Sequence, residues 1–228
     1  MKLKLCIVMA LGLLAGSAQG GGMTEVTYMD QEANEGGYVT RFLVTDRFLR
    51  MDFGRDRDNY VIYDRREKRV FNVNIERREA MVIDYEAVKY PKPENWAVEE
   101  YTRQNTDGKR RFELSVNGTV CSRIVAMEKL APEMAVAMTE FAEALAATQA
   151  TTYAVTPVDQ QQPCDLARYV LEPRRWFQFG VPVDEVHYNG FSRRMLNYQA
   201  WEAIRPKLFE IPENYRQINL KTLRGTQP

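Results

Sequence analysis

The chain has 228 residues, with 31 basic and 31 acidic side chains and no formal net charge. Its charges are interspersed, as in Arg55-Asp56-Arg57-Asp58 and Asp64-Arg65-Arg66-Glu67, so no basic field of the kind nucleic acid requires is present. A single histidine and three cysteines leave little material for a metal centre, and none is expected.

The first eighteen residues read as a secretory leader. Lys2 and Lys4 form a positive start, Leu5 to Leu14 is an apolar run too short to span a bilayer comfortably, and Ala15-Gly16-Ser17-Ala18 supplies the small residues that signal peptidase needs. Cleavage is expected after Ala18. No cysteine stands immediately after the cut, so lipidation is not expected, and residues 19–228 are expected to form one periplasmic domain with a net charge of −2. No later stretch is apolar and long enough to predict a transmembrane segment.

A series of short strands follows, rich in β-branched and aromatic residues: Thr24–Asp30, Tyr38–Thr45, Arg47–Phe53, Tyr60–Asp64, Arg69–Ile75 and Glu79–Tyr85. The links between them are too short for crossover helices, which predicts an antiparallel meander. Alternation places Leu49, Met51 and Phe53 on one face of their strand, Phe71, Val73 and Ile75 on one face of theirs, and Met81, Ile83 and Tyr85 likewise. The intervening Arg50, Asp52, Asn72 and Asn74 suggest a sheet with one greasy face and one wet face. Such a sheet needs a cover.

Residues 90–96, with Pro91 and Pro93, read as a loop. Lys109–Val116 and Thr119–Met127 form a predicted hairpin across Asn117-Gly118. The texture then changes. Ala131 to Ala147 is alanine-rich with Pro132 at a helix start, and Met134, Met138, Phe141 and Leu145 recur at helical spacing. A second, shorter helix is expected over Cys164 to Leu171, ended by Pro173. The helical insert is therefore expected at about residues 131–172. Strands return at Val183–Tyr188, Ser192–Gln199 and Tyr215–Leu220, and the loop before the last presents Phe209 to a core. The fold class expected is α+β, mostly β: a strongly curved antiparallel sheet, an incomplete β-barrel, covered by a helical insertion.

Cys121 and Cys164 are the two cysteines of the mature chain, and an exported chain with an even count predicts a disulfide between them. The bond is expected to staple the Met134–Leu145 helix to the sheet. Oxidised cysteines supply no thiolate nucleophile. No phosphate loop, nucleophile elbow or H-E-x-x-H motif is present, and His187 reads as an ordinary surface or half-buried side chain. Asp52, Asp56, Asp58 and Asn59 around Gly54 invite a calcium reading, but Arg55 and Arg57 oppose it and the order is not that of an EF-hand loop. The chain is not expected to be an enzyme or to need a cofactor. The candidate ligand cavity is the greasy face with its helical cover: Leu49, Met51, Phe53, Phe71, Val73, Ile75, Met81, Ile83, Met134, Met138, Phe141 and Leu145. Methionines suit a surface that repacks around varied guests, and they equally suit a plain core between sheet and helix.

Three features together resemble the outer-membrane lipoprotein-sorting (LolA/LolB-like) superfamily, nearest to its uncharacterised exported relatives. They are the strands Arg47-Phe48-Leu49-Arg50-Met51-Asp52 and Tyr60-Val61-Ile62-Tyr63-Asp64, the helical insertion before the last strands, and the ending Lys207-Leu208-Phe209-Glu210-Ile211-Pro212-Glu213-Asn214-Tyr215. The resemblance implies a half-barrel whose inner face holds acyl chains. The expected function is that of a periplasmic binding or carrier protein for a lipid, a lipoprotein acyl chain or another apolar ligand. The alternative is an envelope interaction module with a packed interior, meeting a protein partner through Arg65-Arg66 or Arg174-Arg175-Trp176-Phe177.

Overall fold

The computed structural model describes residues 21–56, 58–104 and 107–225. The leader lies outside the described residues. Twelve strands form one large, curved, open sheet: β1 (Met23–Gln31), β2 (Tyr38–Val44), β3 (Phe48–Asp52), β4 (Tyr60–Asp64), β5 (Arg69–Asn74), β6 (Glu79–Asp84), β7 (Val98–Gln104), β8 (Lys109–Val116), β9 (Thr119–Met127), β10 (Val181–His187), β11 (Ser192–Trp201) and β12 (Arg216–Asn219). Between β9 and β10 lie the helices α1 (Pro132–Val155) and α2 (Pro163–Leu166), and a short helix α3 (Leu220–Gly225) follows β12.

The spatial order is β12-β6-β5-β4-β3-β2-β1-β11-β10-β9-β8-β7. β1 to β6 are the expected meander. β1 is also paired antiparallel with β11, which joins the two halves of the sheet. The last strand departs from the expected pattern: β12 runs parallel to β6. The Asn117-Gly118 hairpin forms as the dipeptide predicts, with φ of 50° and 78° at the two turn residues. β7 was not expected. Glu99, Glu100, Thr102 and Arg103 give it no apolar face, in keeping with its position at the sheet edge, where charge discourages pairing with other chains.

α1 lies across one face of the sheet. It runs to Val155, two turns beyond the alanine-rich stretch. Met134, Ala135, Ala137, Met138 and Ala144 pack with Val26, Tyr28, Phe42, Val44, Leu49, Tyr63 and Val70 in the main core, with Phe141 and Leu145 at its margin. The alanines let the helix approach both the sheet and the segment after it, which packs on its other side. That segment is α2, a π turn over Ala167–Leu171 and a 3-10 turn over Pro173–Trp176. Cys121 on β9 and Cys164 in α2 are disulfide-bonded, with Cα atoms 5.2 Å apart. The bond ties this second segment, rather than α1, to the sheet, above a second core containing Phe112, Leu114, Ile124 and Trp176. Gly180 then brings the chain back against β9. Its φ is 103°, and a Cβ there would stand 2.4 Å from the Met127 carbonyl oxygen.

The expectation of one greasy and one wet face is corrected. Cross-strand register puts Leu49 and Met51 on the same side as Val61, Tyr63, Val70, Asn72, Met81 and Ile83, facing α1. Phe71, Val73 and Ile75 are on the opposite side, packed with Tyr60, Ile62, Ala80, Ile211 and Tyr215. Phe53, just past the end of β3, is 55% exposed. The far face is dry because the C-terminal segment covers it. Leu208 and Phe209 pack with Met23 and Leu43, and Phe209 stacks on Phe48 at 5.8 Å, as expected for that loop.

On that far face Arg50 and Asp52 are both 2% exposed. Asp52 accepts hydrogen bonds from Arg41 Nε (2.9 Å) and Nη2 (2.8 Å), from Arg50 Nε (2.7 Å) and from the Gly54 amide (2.9 Å). Arg50 Nη1 donates to the Leu208 carbonyl at 2.6 Å, and its guanidinium lies 4.0 Å above the Tyr60 ring. Asp56 binds Arg41 and Arg205. Guanidinium groups therefore pair with the buried Asp52 and the exposed Asp56, two of the acids around Gly54.

Candidate functional site

The expected cavity exists only in part. Near Met134 and Leu49 the space between α1 and the sheet is filled by side chains, both of these fully buried. One turn further along α1 it opens into a slot of about 210 Å³. Met138, Phe141, Ala142 and Leu145 of α1 form one wall, Phe42 and Met51 of the sheet another, and Arg168, Tyr169, Trp176 and Phe177 of the second helical segment a third. Arg193 of β11 completes it. The slot is smaller than the roughly 300–1,000 Å³ of pockets that hold drug-sized molecules. Met51 and Arg193 also border a more open groove of about 470 Å³. A larger groove of about 550 Å³ runs outside α1, but Glu128, Glu140, Glu143 and Arg174 at its edge are already paired, with Arg110, Arg65 and each other.

Of the twelve sequence candidates, Met51, Met138, Phe141 and Leu145 line the slot. Leu49 and Met134 are core, Ile83 packs at its margin, and Met81 is half-buried on the α1 side of β6. Phe53, Phe71, Val73 and Ile75 are elsewhere, as described above.

The polar end of the slot was not anticipated. Arg193 binds Asp30 through both Nε (2.7 Å) and Nη2 (2.6 Å), and lies over the rings of Tyr28 (4.9 Å) and Phe42 (5.3 Å). Opposite residues of an antiparallel pair share a face, so the Asp30–Arg193 and Tyr28–Met195 registers aim all four inward. A bulge at Leu196, opposite Thr27 and Tyr28, sets that parity. Two adjacent arginines in a strand imply that one points inward, but the sequence does not show which. The Tyr28 hydroxyl is sealed beneath without a partner, and burial pushes its pKa up.

Behind Arg193 lies Glu185, 2% exposed. Its Oε1 stands 3.8 Å from both Arg168 Nη2 and Arg193 Nη1, and 3.5 Å from His187 Nε2. Burial alone would raise the Glu185 pKa; His187 and the two guanidiniums outweigh it and hold the carboxyl at about 2. His187 is buried, contrary to the sequence reading. Burial, helped by Arg168 and Arg193, keeps its pKa below the ordinary value despite Glu185. Trp176 Nε1 donates to Ser122 Oγ (2.9 Å), and Ser122 Oγ lies 2.8 Å from His187 Nδ1. The Glu185 carboxylate beside Nε2 favours the neutral ring's proton on that nitrogen, with Ser122 donating to Nδ1. Serine, histidine and acid stand in line, but Ser122 is 1% exposed beneath Trp176 and presents no hydroxyl to a substrate.

The linkage has a definite sign. On unfolding, His187 regains its ordinary pKa of 6.5 and Glu185 regains 4.5, so in acid the unfolded chain binds more protons than the folded one. Unfolding free energy should therefore fall as pH drops below about 6.5, and fall further between about 4.5 and 2. Glu185 alone accounts for roughly 3 kcal/mol of the lower step. Urea titrations at stepped pH measure this. The variant His187→Gln should lose the upper limb of the profile; an unchanged upper limb would contradict the buried neutral histidine.

No family model matches the chain, and no curated protein is significantly similar to it. Among solved structures, 90% of the chain superposes on 32% of the chain in "Structure of PNGF-II in C2 space group", with a TM-score of 0.46 and 9% identity. The corresponding figures for "Structure of PNGF-II in P21 space group" are 90%, 32%, 0.45 and 10%. The chain thus spans about a third of these proteins, at a likeness too low to carry an argument about fold or function.

Proposed function

We propose that this chain is a non-enzymatic binding or carrier protein of the Gram-negative envelope, exported to the periplasm and taking the apolar chain of a lipid or lipoprotein between α1 and the sheet. The observation that carries this reading is the slot itself. It is open at Met138–Leu145 while the interface near Met134 is filled, and its lining is mostly apolar, with Gln149, Arg168 and Arg193 as its amide and charged members. The disulfide agrees with an oxidising compartment, and the resemblance to the lipoprotein-sorting superfamily points the same way.

Filling the slot tests the reading. The protein is expected to take up a fluorescent fatty acid, and Ala142→Trp, which projects an indole into the slot, should weaken that uptake at least about ten-fold without altering the circular dichroism spectrum. Native mass spectrometry of the purified protein showing bare polypeptide, together with no uptake, would sink it. A second reading rests on the filled Met134 end: an envelope interaction module with a packed core. Periplasmic crosslinking to one stable partner, with no lipid uptake, would favour that reading.

A further inference from the structure

We infer that the slot selects a single alkyl chain ending in a carboxylate, with Arg168 as the residue that meets the acid group; this rests on the binding-protein reading above. Arg168 and Arg193 are the two cations among the described lining residues, and they differ in commitment. Arg193 is held bidentate by Asp30. Arg168 has only the long 3.8 Å approach to Glu185 and the faces of Tyr169 (5.2 Å) and Phe191 (5.7 Å). Its side chain is 19% exposed, and no hydrogen bond to its guanidinium is found among the described residues. A guanidinium with unused donors, on a side chain four-fifths buried beside an apolar slot, is matched in shape and charge by a carboxylate, which accepts two parallel N–H bonds.

The backbone holds Arg168 in place independently of any guest. It sits in the π turn over Ala167–Leu171, a wide turn that recurs at functional sites, and it follows the disulfide-anchored Cys164 by one turn. The charges Asp30, Glu185, Arg168 and Arg193 balance, so the site accepts a monoanion more readily than a dianion. With the acid at Arg168, the alkyl chain runs along Met138, Phe141 and Leu145.

The test compares dodecanoate with dodecanol by displacement of a neutral fluorescent alkyl probe. Wild-type protein should bind the carboxylate at least about ten-fold tighter than the alcohol, the lower end for a charge-assisted hydrogen bond. In R168Q that ratio should fall to near one. Equal affinity for acid and alcohol in the wild type would overturn the inference and leave the binding-protein reading standing. A ratio unchanged in R168Q would overturn the role of Arg168. Binding of neither ligand would remove both readings. The wild-type comparison holds even where R168Q fails to fold.

Discussion

Asp52→Ala is expected to lower the unfolding free energy by about 3–5 kcal/mol, the cost of removing one partner from a buried ionic cluster. Asp52 neutralises Arg41 and Arg50, whose side chains are 10% and 2% exposed, and it also satisfies the Gly54 amide. Its loss leaves Arg50 without a carboxylate in a dry layer, while Arg41 keeps Asp56. Asp52→Asn keeps the shape but not the charge, so it should recover less than half of the loss. Urea unfolding gives both values, through a shifted midpoint at unchanged slope. A loss below about 1 kcal/mol for Asp52→Ala would show that water reaches the cluster.

Replacing both Cys121 and Cys164 by serine is expected to cost about 4 kcal/mol, from the 43-residue loop the bond closes. The damage should be local first. Because the bond joins β9 to α2, hydrogen-exchange protection should fall over residues 163–176 before it falls in the first turns of α1, which hold to the sheet through Met134 and Met138. Equal loss in both segments would mean that the insertion opens as one unit. The sequence expectation already set Cys164 in a second helix but had the bond fix the Met134–Leu145 helix; the bond holds the second segment, and α1 docks through its own side chains.

Much of the sheet was legible because its signals are local. Asn117-Gly118 forces a hairpin, and β4, β8 and β9 have the expected bounds. The spacing of Met134, Met138, Phe141 and Leu145 gave the docked helix face. What was illegible depends on partners distant in sequence. Arg50 and Asp52 look like solvent-facing residues until Arg41 and the Leu208 carbonyl arrive, and period-two alternation cannot say whether Phe71 and Leu49 share a face without the register between strands. The same limit hid the polar end of the slot. Arg168 lies in a π turn that no repeat announces, and Arg193 is oriented by a bulge at Leu196 of its own strand.

The parallel return of β12 has a consequence for the order of assembly. Synthesis delivers β1 first, yet its second neighbour is β11, and the layer over Met23, Leu43 and Arg50 comes from residues 208 and 209. The β1–β6 meander is therefore complete in strands before either of its covers exists: α1 comes later for one face, and for the other the buried Arg50 awaits a carbonyl near the end of the chain. Such long-range closure is slow. A chain cut short before residue 208 therefore lacks the cover of that face and the carbonyl that Arg50 holds.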